Sequence, residues 1–169
     1  MEKTIISFGD SLLRQKAKSV TQFDKKLFQL LDCLAETLYA AKGAGLAAPQ
    51  IGVLQKVIIM DCGKGKIELI NPEILEMRGE QIGPEGCLSF PGYTGIVKRA
   101  NYVKISTITR KQEKIIIEGE GLLARCIQHE IDHLNGVLFI DHIQDNELYN
   151  DQTQEKVPLQ ADMRLSKKK

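Results

Sequence analysis

No apolar run in this 169-residue chain approaches the roughly 20 residues that a membrane span requires, so no transmembrane helix is expected. The opening MEKTIISFGD has an acidic residue and only a few apolar positions before Gly9, too little for the apolar core of a secretion signal. Charge of either sign is not in excess: 23 Lys and Arg stand against 22 Asp and Glu, a formal net charge of +1. That balance points to neither a nucleic acid nor an acidic substrate. Cysteine is scarce and unpaired in spacing, at positions 33, 62, 87 and 126. The pattern excludes the disulfide framework of a small secreted domain and predicts thiols in a reducing cytoplasm. No internal repeat is present. A hydrophobic share of 43% over this length suits one globular domain with a real core.

The segment TQFDKKLFQLLDCLAETLYAAKG sets Leu27, Leu30, Leu31, Leu34 and Leu38 at helical spacing. Thr21 with Asp24 resembles a capping box and Gly43 suits the stop, so a core-facing helix is expected, with Cys33 structural. GAGLAAPQIG, rich in glycine and proline, reads as a loop or a tight backbone feature, and GPEGCLSFPGYTG as a loop. KVIIMD, KIELINPEIL, GIVKRANYVKISTITR and EKIIIEG read as strands. From about Gly121 the spacing of Leu122, Leu123, Cys126, Ile127, Ile131 and Leu134 predicts a second helix, stopped at Asn135–Gly136. From about Asp145 the chain turns polar, which predicts a solvated helix broken at Pro158 and a frayed basic tail, RLSKKK. The expected fold is α+β: small antiparallel or mixed sheets around a central helix that carries the chemistry, with an N-terminal helix. One catalytic domain over 1–145 and a polar tail or helix over 146–169 follow.

Two of the chain's three histidines, His129 and His133, stand four residues apart on the second helix, with Glu130 between them. That spacing aims both imidazoles from one face, one turn apart, toward a single metal ion. Glu130 sits beside that face, able to hold a proton next to a bound water. The bland alternative is a helix with two partly buried imidazoles and a surface glutamate. A third ligand separates the families that use HExxH. Downstream candidates fit poorly: Glu147 and Glu155 lie in the polar stretch, Phe139 stands where a third histidine would belong, and His142 is out of register. Cys126 precedes His129 on the same face but lies about 10 Å along the axis from His133, too far for one ion. It reads as a buried thiol lining the pocket. Cys87, in EGCLS, can be carried to the helix; Cys33 and Cys62 stay open on this reasoning.

GAGLAAPQ, EGCLS and QHEIDH, in this order and at these spacings, resemble the peptide deformylases. FGDSLLRQKAKSV, NPEIL and GEGLLARCIQHE fit as well, and the likeness runs to about residue 142. The resemblance implies a metal-dependent hydrolase that removes the N-formyl group from the formylmethionine of newly made chains and releases formate. It implies Cys87, His129 and His133 as metal ligands and Glu130 as the proton carrier. The Gln50 amide and the Leu88 backbone N–H would be the donors to the oxyanion. The peptide would bind as an extended strand near Ala44, Gly45 and Gly86, with Leu122 and Cys126 lining the methionine pocket. Glu85 and Arg99 would be polar supports that fix Cys87 and a histidine. Ferrous iron is the implied ion, with zinc, nickel or cobalt accepted by the same donors. N-formylmethionyl nascent peptides are the implied partners, with ribosome association a further one that the mixed-charge tail supports only weakly. Ala44 and Gly83 depart from larger aliphatic residues and should widen the pocket's rim. Competing expectations are a zinc endopeptidase, a thiol hydrolase with Cys87 as nucleophile, and a non-catalytic binding module.

Overall fold

The computed structural model describes residues 1–159. After a 3-10 turn at Ser11–Arg14, helix α1 spans Lys25–Ala41. Strands β1 (Gly45–Ala47), β2 (Val57–Met60), β3 (Ile67–Arg78), β4 (Gln81–Cys87), β5 (Phe90–Arg99), β6 (Tyr102–Ile108) and β7 (Lys114–Glu120) follow. Helix α2 (Gly121–Leu134), a 3-10 turn at Phe139–His142 and strand β8 (Ile143–Asn150) complete the order. A five-stranded sheet runs β1-β2-β3-β6-β7 and a three-stranded sheet runs β4-β5-β8, each with antiparallel neighbours. This is the expected α+β arrangement around a central helix.

The larger sheet lies between the two helices. Leu27, Leu31, Leu34 and Leu38 of α1 pack against Val57, Ile59 and Ile70 on one face. Ala124, Ile127, Ile131 and Leu134 of α2 pack against Ile58, Met60, Leu69, Val103 and Ile105 on the other. Strand β2 therefore reads as an unbroken apolar run, VIIM, because alternate side chains serve two cores. Phe90, Val97, Phe139, Ile140, Ile143 and Leu148 form a third core at the smaller sheet.

Several local expectations change. Helix α1 starts at Lys25, with Asp24 as its cap accepting from the Leu27 N–H at 3.1 Å, so Thr21 lies outside it. The left-handed residue at its end is Lys42 rather than Gly43. Gly43 serves packing instead: a Cβ there would stand 2.6 Å from Leu88 Cδ1. The stretch GPEGCLSFPGYTG, expected as a loop, belongs to the β4–β5 hairpin. Its glycines and Pro84 are tolerated because β4 is an edge strand, where a missing N–H leaves no ladder bond unmade. GAGLAAPQIG holds strand β1 and then the tight backbone feature expected there, a 3-10 turn at Ala48–Ile51. The polar helix expected after Asp145 is strand β8, whose Ile143 and Leu148 are buried while it pairs with β5. Pairing with a waiting sheet edge overrides local polarity, and the boundary drawn at 145 cuts this strand. The tail RLSKKK lies outside the described residues.

The end of α2 meets the N-terminal segment at close range. Arg14 Nη1 donates to the Gly136 carbonyl at 3.2 Å, and the Ala17 N–H donates to the Leu134 carbonyl at 2.9 Å. Gly136 has φ +72°, and a Cβ there would come within 2.3 Å of the Arg14 carbonyl oxygen. Gly9 also has positive φ, +95°, with open space around it. Gly9→Ala should therefore cost only the left-handed backbone penalty, about 1–2 kcal/mol. Gly136→Ala should cost clearly more, and the difference in urea midpoint between the two variants measures the close approach.

Candidate metal centre

Helix α2 carries His129 and His133 one turn apart, their ring centroids 5.2 Å from each other. The last residue of β4 is Cys87, and the tight hairpin that follows turns it toward the helix. Cys87, His129 and His133 form the one such group of three among the described residues, their ligand atoms all within 4.8 Å of one another. Cys87 Sγ lies 3.4 Å from His133 Nε2. Bond lengths of about 2.3 Å to sulfur and 2.0–2.1 Å to nitrogen put the edge of a tetrahedron near 3.5 Å, so this spacing fits a shared ion. A thiolate with two imidazoles also leaves one coordination position open. Cys33 and Cys62 are not part of the group.

The imidazoles are oriented for a shared ion. Glu85 Oε1 lies 2.8 Å from His129 Nδ1, and because the carboxylate can only accept, Nδ1 donates and Nε2 is the nitrogen aimed at the cluster. Burial lowers the pKa of this ring, but hydrogen bonds with Cys87 and Glu85 and the nearby Glu130 carboxyl hold it well above its ordinary value, so a metal would displace a proton from Nε2. Burial opposes ionisation of Glu85, yet hydrogen bonds from Arg99 and His129 outweigh it and hold the carboxyl down to about 2. Arg99 grips it twice, Nε to Oε2 and Nη2 to Oε1, both at 2.8 Å, and Arg125 Nη1 adds a bond of 2.7 Å. Arg99 also donates to Asp132 at 2.7 Å, and His142 meets the same carboxylate at 2.9 Å. His133, 1% exposed, is driven well below its ordinary pKa by burial first and by neighbouring positive charge next, which keeps it neutral.

Glu130 is the contrasting carboxyl. It is 4% exposed, and burial pushes its pKa up to about 7. Its Oε1 has no hydrogen-bond partner, and its Oε2 lies 3.9 Å from His129 Nε2. Gly45 makes room for it: a Cβ at that position would stand 2.7 Å from Oε2. Gln50 is oriented from behind. Its Oε1 accepts from the Ala47 N–H at 2.9 Å, so its Nε2 faces the cluster, donating to Ser89 Oγ at 3.0 Å and lying 3.7 Å from Cys87 Sγ.

One cleft of about 410 Å³ is lined by Ala44, Gly45, Gln50, Gly86, Cys87, Leu88, Leu122, Cys126, His129 and Glu130, every sequence-derived site residue except His133. Cys126 is a wall residue, its thiol pushed up by burial and then by the adjacent Cys62. Glu85 and Arg99 form a buried pair rather than a surface one, and it is His129 that they support; Cys87 is approached by Gln50 instead. The expectation that Gly83 widens the rim is overturned, because Arg125 fills that space, its Nη2 3.3 Å from where a Cβ would be. Sequence reasoning passed over Ser89 and Arg125. Arg125 lies four residues before His129, and that helical spacing was the available signal. Glu85→Ala should leave two buried guanidiniums undercompensated and lower stability by about 3–5 kcal/mol, read from urea unfolding.

The family model described as polypeptide deformylase matches residues 2–148. Peptide deformylase 1 of Clostridium acetobutylicum is 50% identical over 145 residues, 86% of this chain and 97% of its own length. The crystal structure of the Thermotoga maritima peptide deformylase superposes with a TM-score of 0.84 at 44% identity, covering 85% of this chain and 99% of that one. A Met-Ala-Ser-bound class I type b peptide deformylase from Acinetobacter baumannii gives a TM-score of 0.81 at 36% identity, with 85% and 99% covered. Matched along most of its length in sequence and in fold, the chain belongs to the polypeptide deformylase family.

Proposed function

We infer that this protein is a metal-dependent hydrolase that removes the N-formyl group from the N-terminal formylmethionine of newly made polypeptides and releases formate. The observation that carries this reading is the convergence of Cys87, His129, Glu130 and Gln50 on one cleft, with His133 behind them completing the group of three ligand atoms. Cys87, His129 and His133 are the ligands, ferrous iron is the ion used in the cell, and zinc, nickel or cobalt suit the same donors. The ion supplies a Lewis acid and lowers the pKa of a water.

The chain's own groups carry the remaining work. Glu130, a carboxyl near neutrality with an uncommitted oxygen, takes the proton from the attacking water and delivers it to the leaving amine. Gln50, its carbonyl side tied to Ala47, offers Nε2–H to the oxyanion that develops on the formyl oxygen, and the Leu88 backbone N–H joins it. Strands β1 and β4 are both sheet edges and both border the cleft, so an extended peptide can lie between them, pairing near Ala44, Gly45 and Gly86. The Met-Ala-Ser-bound relative supports a peptide of that kind. Leu122 and Cys126 line the slot for the methionine side chain. Such substrates set the enzyme in the cytoplasm, with association at the ribosome as an extension of the same reading.

The test is anaerobic release of formate from formyl-Met-Ala-Ser by protein reconstituted with ferrous iron, with and without chelator. Chelator should abolish turnover, and persistence of full activity would instead favour Cys87 as a nucleophile. Gln50→Ala should reduce kcat by about 10²–10³-fold. Glu130→Gln should reduce it by about 10²–10⁴-fold while leaving metal stoichiometry intact. Cys87→Ser should lose stoichiometric metal by elemental analysis; retention would refute its assignment as a ligand.

A further inference from the structure

One stretch of the cleft wall serves neither the ligand group nor the slot for the first side chain. Gly92, Tyr93 and Thr94 of β5 line it together with Asp151, which follows directly on the last residue of β8. The two strands hold this stretch jointly. Tyr93 pairs with Asn150, the Asp151 N–H donates to the Gly92 carbonyl at 2.9 Å, and Thr94 Oγ1 donates to Asp151 Oδ1 at 2.6 Å. Asp151 is nonetheless exposed, so its carboxylate is fixed at the wall and still open to what enters. The other acidic groups of the wall are not: Glu85 is matched by Arg99 and Arg125, and Glu130 is buried with its pKa near neutrality. Among the described residues Asp151 forms no ion pair, and Thr94 engages only one of its oxygens. The family match ends at residue 148, so this carboxylate belongs to the segment beyond it.

A peptide with its formyl end at the ligand group and its first side chain against Leu122 and Cys126 has this remaining wall for the residues that follow. We propose that Asp151 is a specificity residue, favouring chains that carry lysine or arginine in one of the two positions after formylmethionine. This rests on the deformylase reading. Both side chains are long enough to bring a positive charge to Asp151 Oδ2 while Thr94 keeps Oδ1. A glutamate in the same position meets a like charge instead. Because the pair is open to solvent, the preference is modest and screened by salt. Because the contact is the same in the bound substrate and in the transition state, it acts on KM rather than on kcat.

The experiment measures formate release by the ferrous holoenzyme from formyl-Met-Lys-Ser, formyl-Met-Gln-Ser and formyl-Met-Glu-Ser, and from formyl-Met-Ala-Lys, formyl-Met-Ala-Gln and formyl-Met-Ala-Glu. In one of the two series kcat/KM should fall in the order lysine, glutamine, glutamate, with about threefold to fivefold between the first two, carried by KM. At about 1 M salt, where the screening length is about 3 Å, that ratio should approach about 1. Asp151→Asn, which keeps an oxygen for Thr94, should bring the lysine-to-glutamine ratio to about 1 at low salt as well. Asp151→Lys should invert the order and put glutamate first. Equal rates for lysine and glutamine in both series of the wild type overturn the proposal. So does a ratio that survives in the variants, even where all peptides slow together, since Asp151 would then only support β5. If formyl-Met-Ala-Ser itself yields no formate, it is the deformylase reading that fails.

Discussion

The carboxylate of Glu85 receives four hydrogen bonds, two from Arg99, one from Arg125 and one from His129. It stands on β4, Arg99 ends β5, and Arg125 and His129 belong to α2, so this one group joins the hairpin to the helix. A carboxylate and two guanidiniums buried together are tolerable only because their charges and donors match. That matching also fixes Nδ1 of His129 as the donor to Glu85, and hence Nε2 as the nitrogen that faces Cys87 and His133. The candidate metal centre thus depends on a network that lies behind it: packing of the smaller sheet against α2 and orientation of His129 are one event.

The cleft itself follows from how the two sheets are terminated. Strand β1 ends the larger sheet and β4 ends the smaller one, and both edges border the same opening. Unpaired edges are ordinarily a hazard for aggregation; here β1 is three residues long, and β4 is interrupted by Pro84 and two glycines. The glycines are required by approach rather than by conformation: a side chain on Gly43 would strike Leu88 and one on Gly45 would strike Glu130. The same small residues that bring the hairpin close to β1 leave main-chain groups able to meet a peptide.

What could be read without coordinates divides along physical lines. His129 and His133 were legible because helical spacing alone aims two side chains at one point, and α2 needed no tertiary information to be recognised. The third member of the candidate ligand group was not, since nothing in local spacing brings residue 87 to residue 133; only the resemblance chose Cys87 over Cys33 and Cys62. The segment around Cys87 read as a loop because its glycines and proline depress strand propensity, which an edge strand tolerates. Strand β8 was missed for a related reason, as Asp145 and Asn146 both take positive φ and its buried contacts come from a sheet far away in sequence. Nothing in the local sequence sets Arg125 apart, and its burial follows from Glu85 and Gly83, neither of which is its sequence neighbour.

Glu85 and Glu130 make the same point within a single site. Both are buried glutamates beside His129, and burial raises the pKa of each. Yet one carboxyl is held near 2 and the other near 7. The difference lies in partners: Glu85 is saturated with donors, whereas Glu130 has one oxygen with none and a glycine opposite the other. A carboxyl with every lone pair engaged cannot give up or accept a proton without dismantling its surroundings, so it serves as a fixed charge. A carboxyl left underbonded near neutral pH can change state at small cost. Residue type and burial alone assign these two the same role; the count of donors around each separates the fixed charge from the proposed proton carrier.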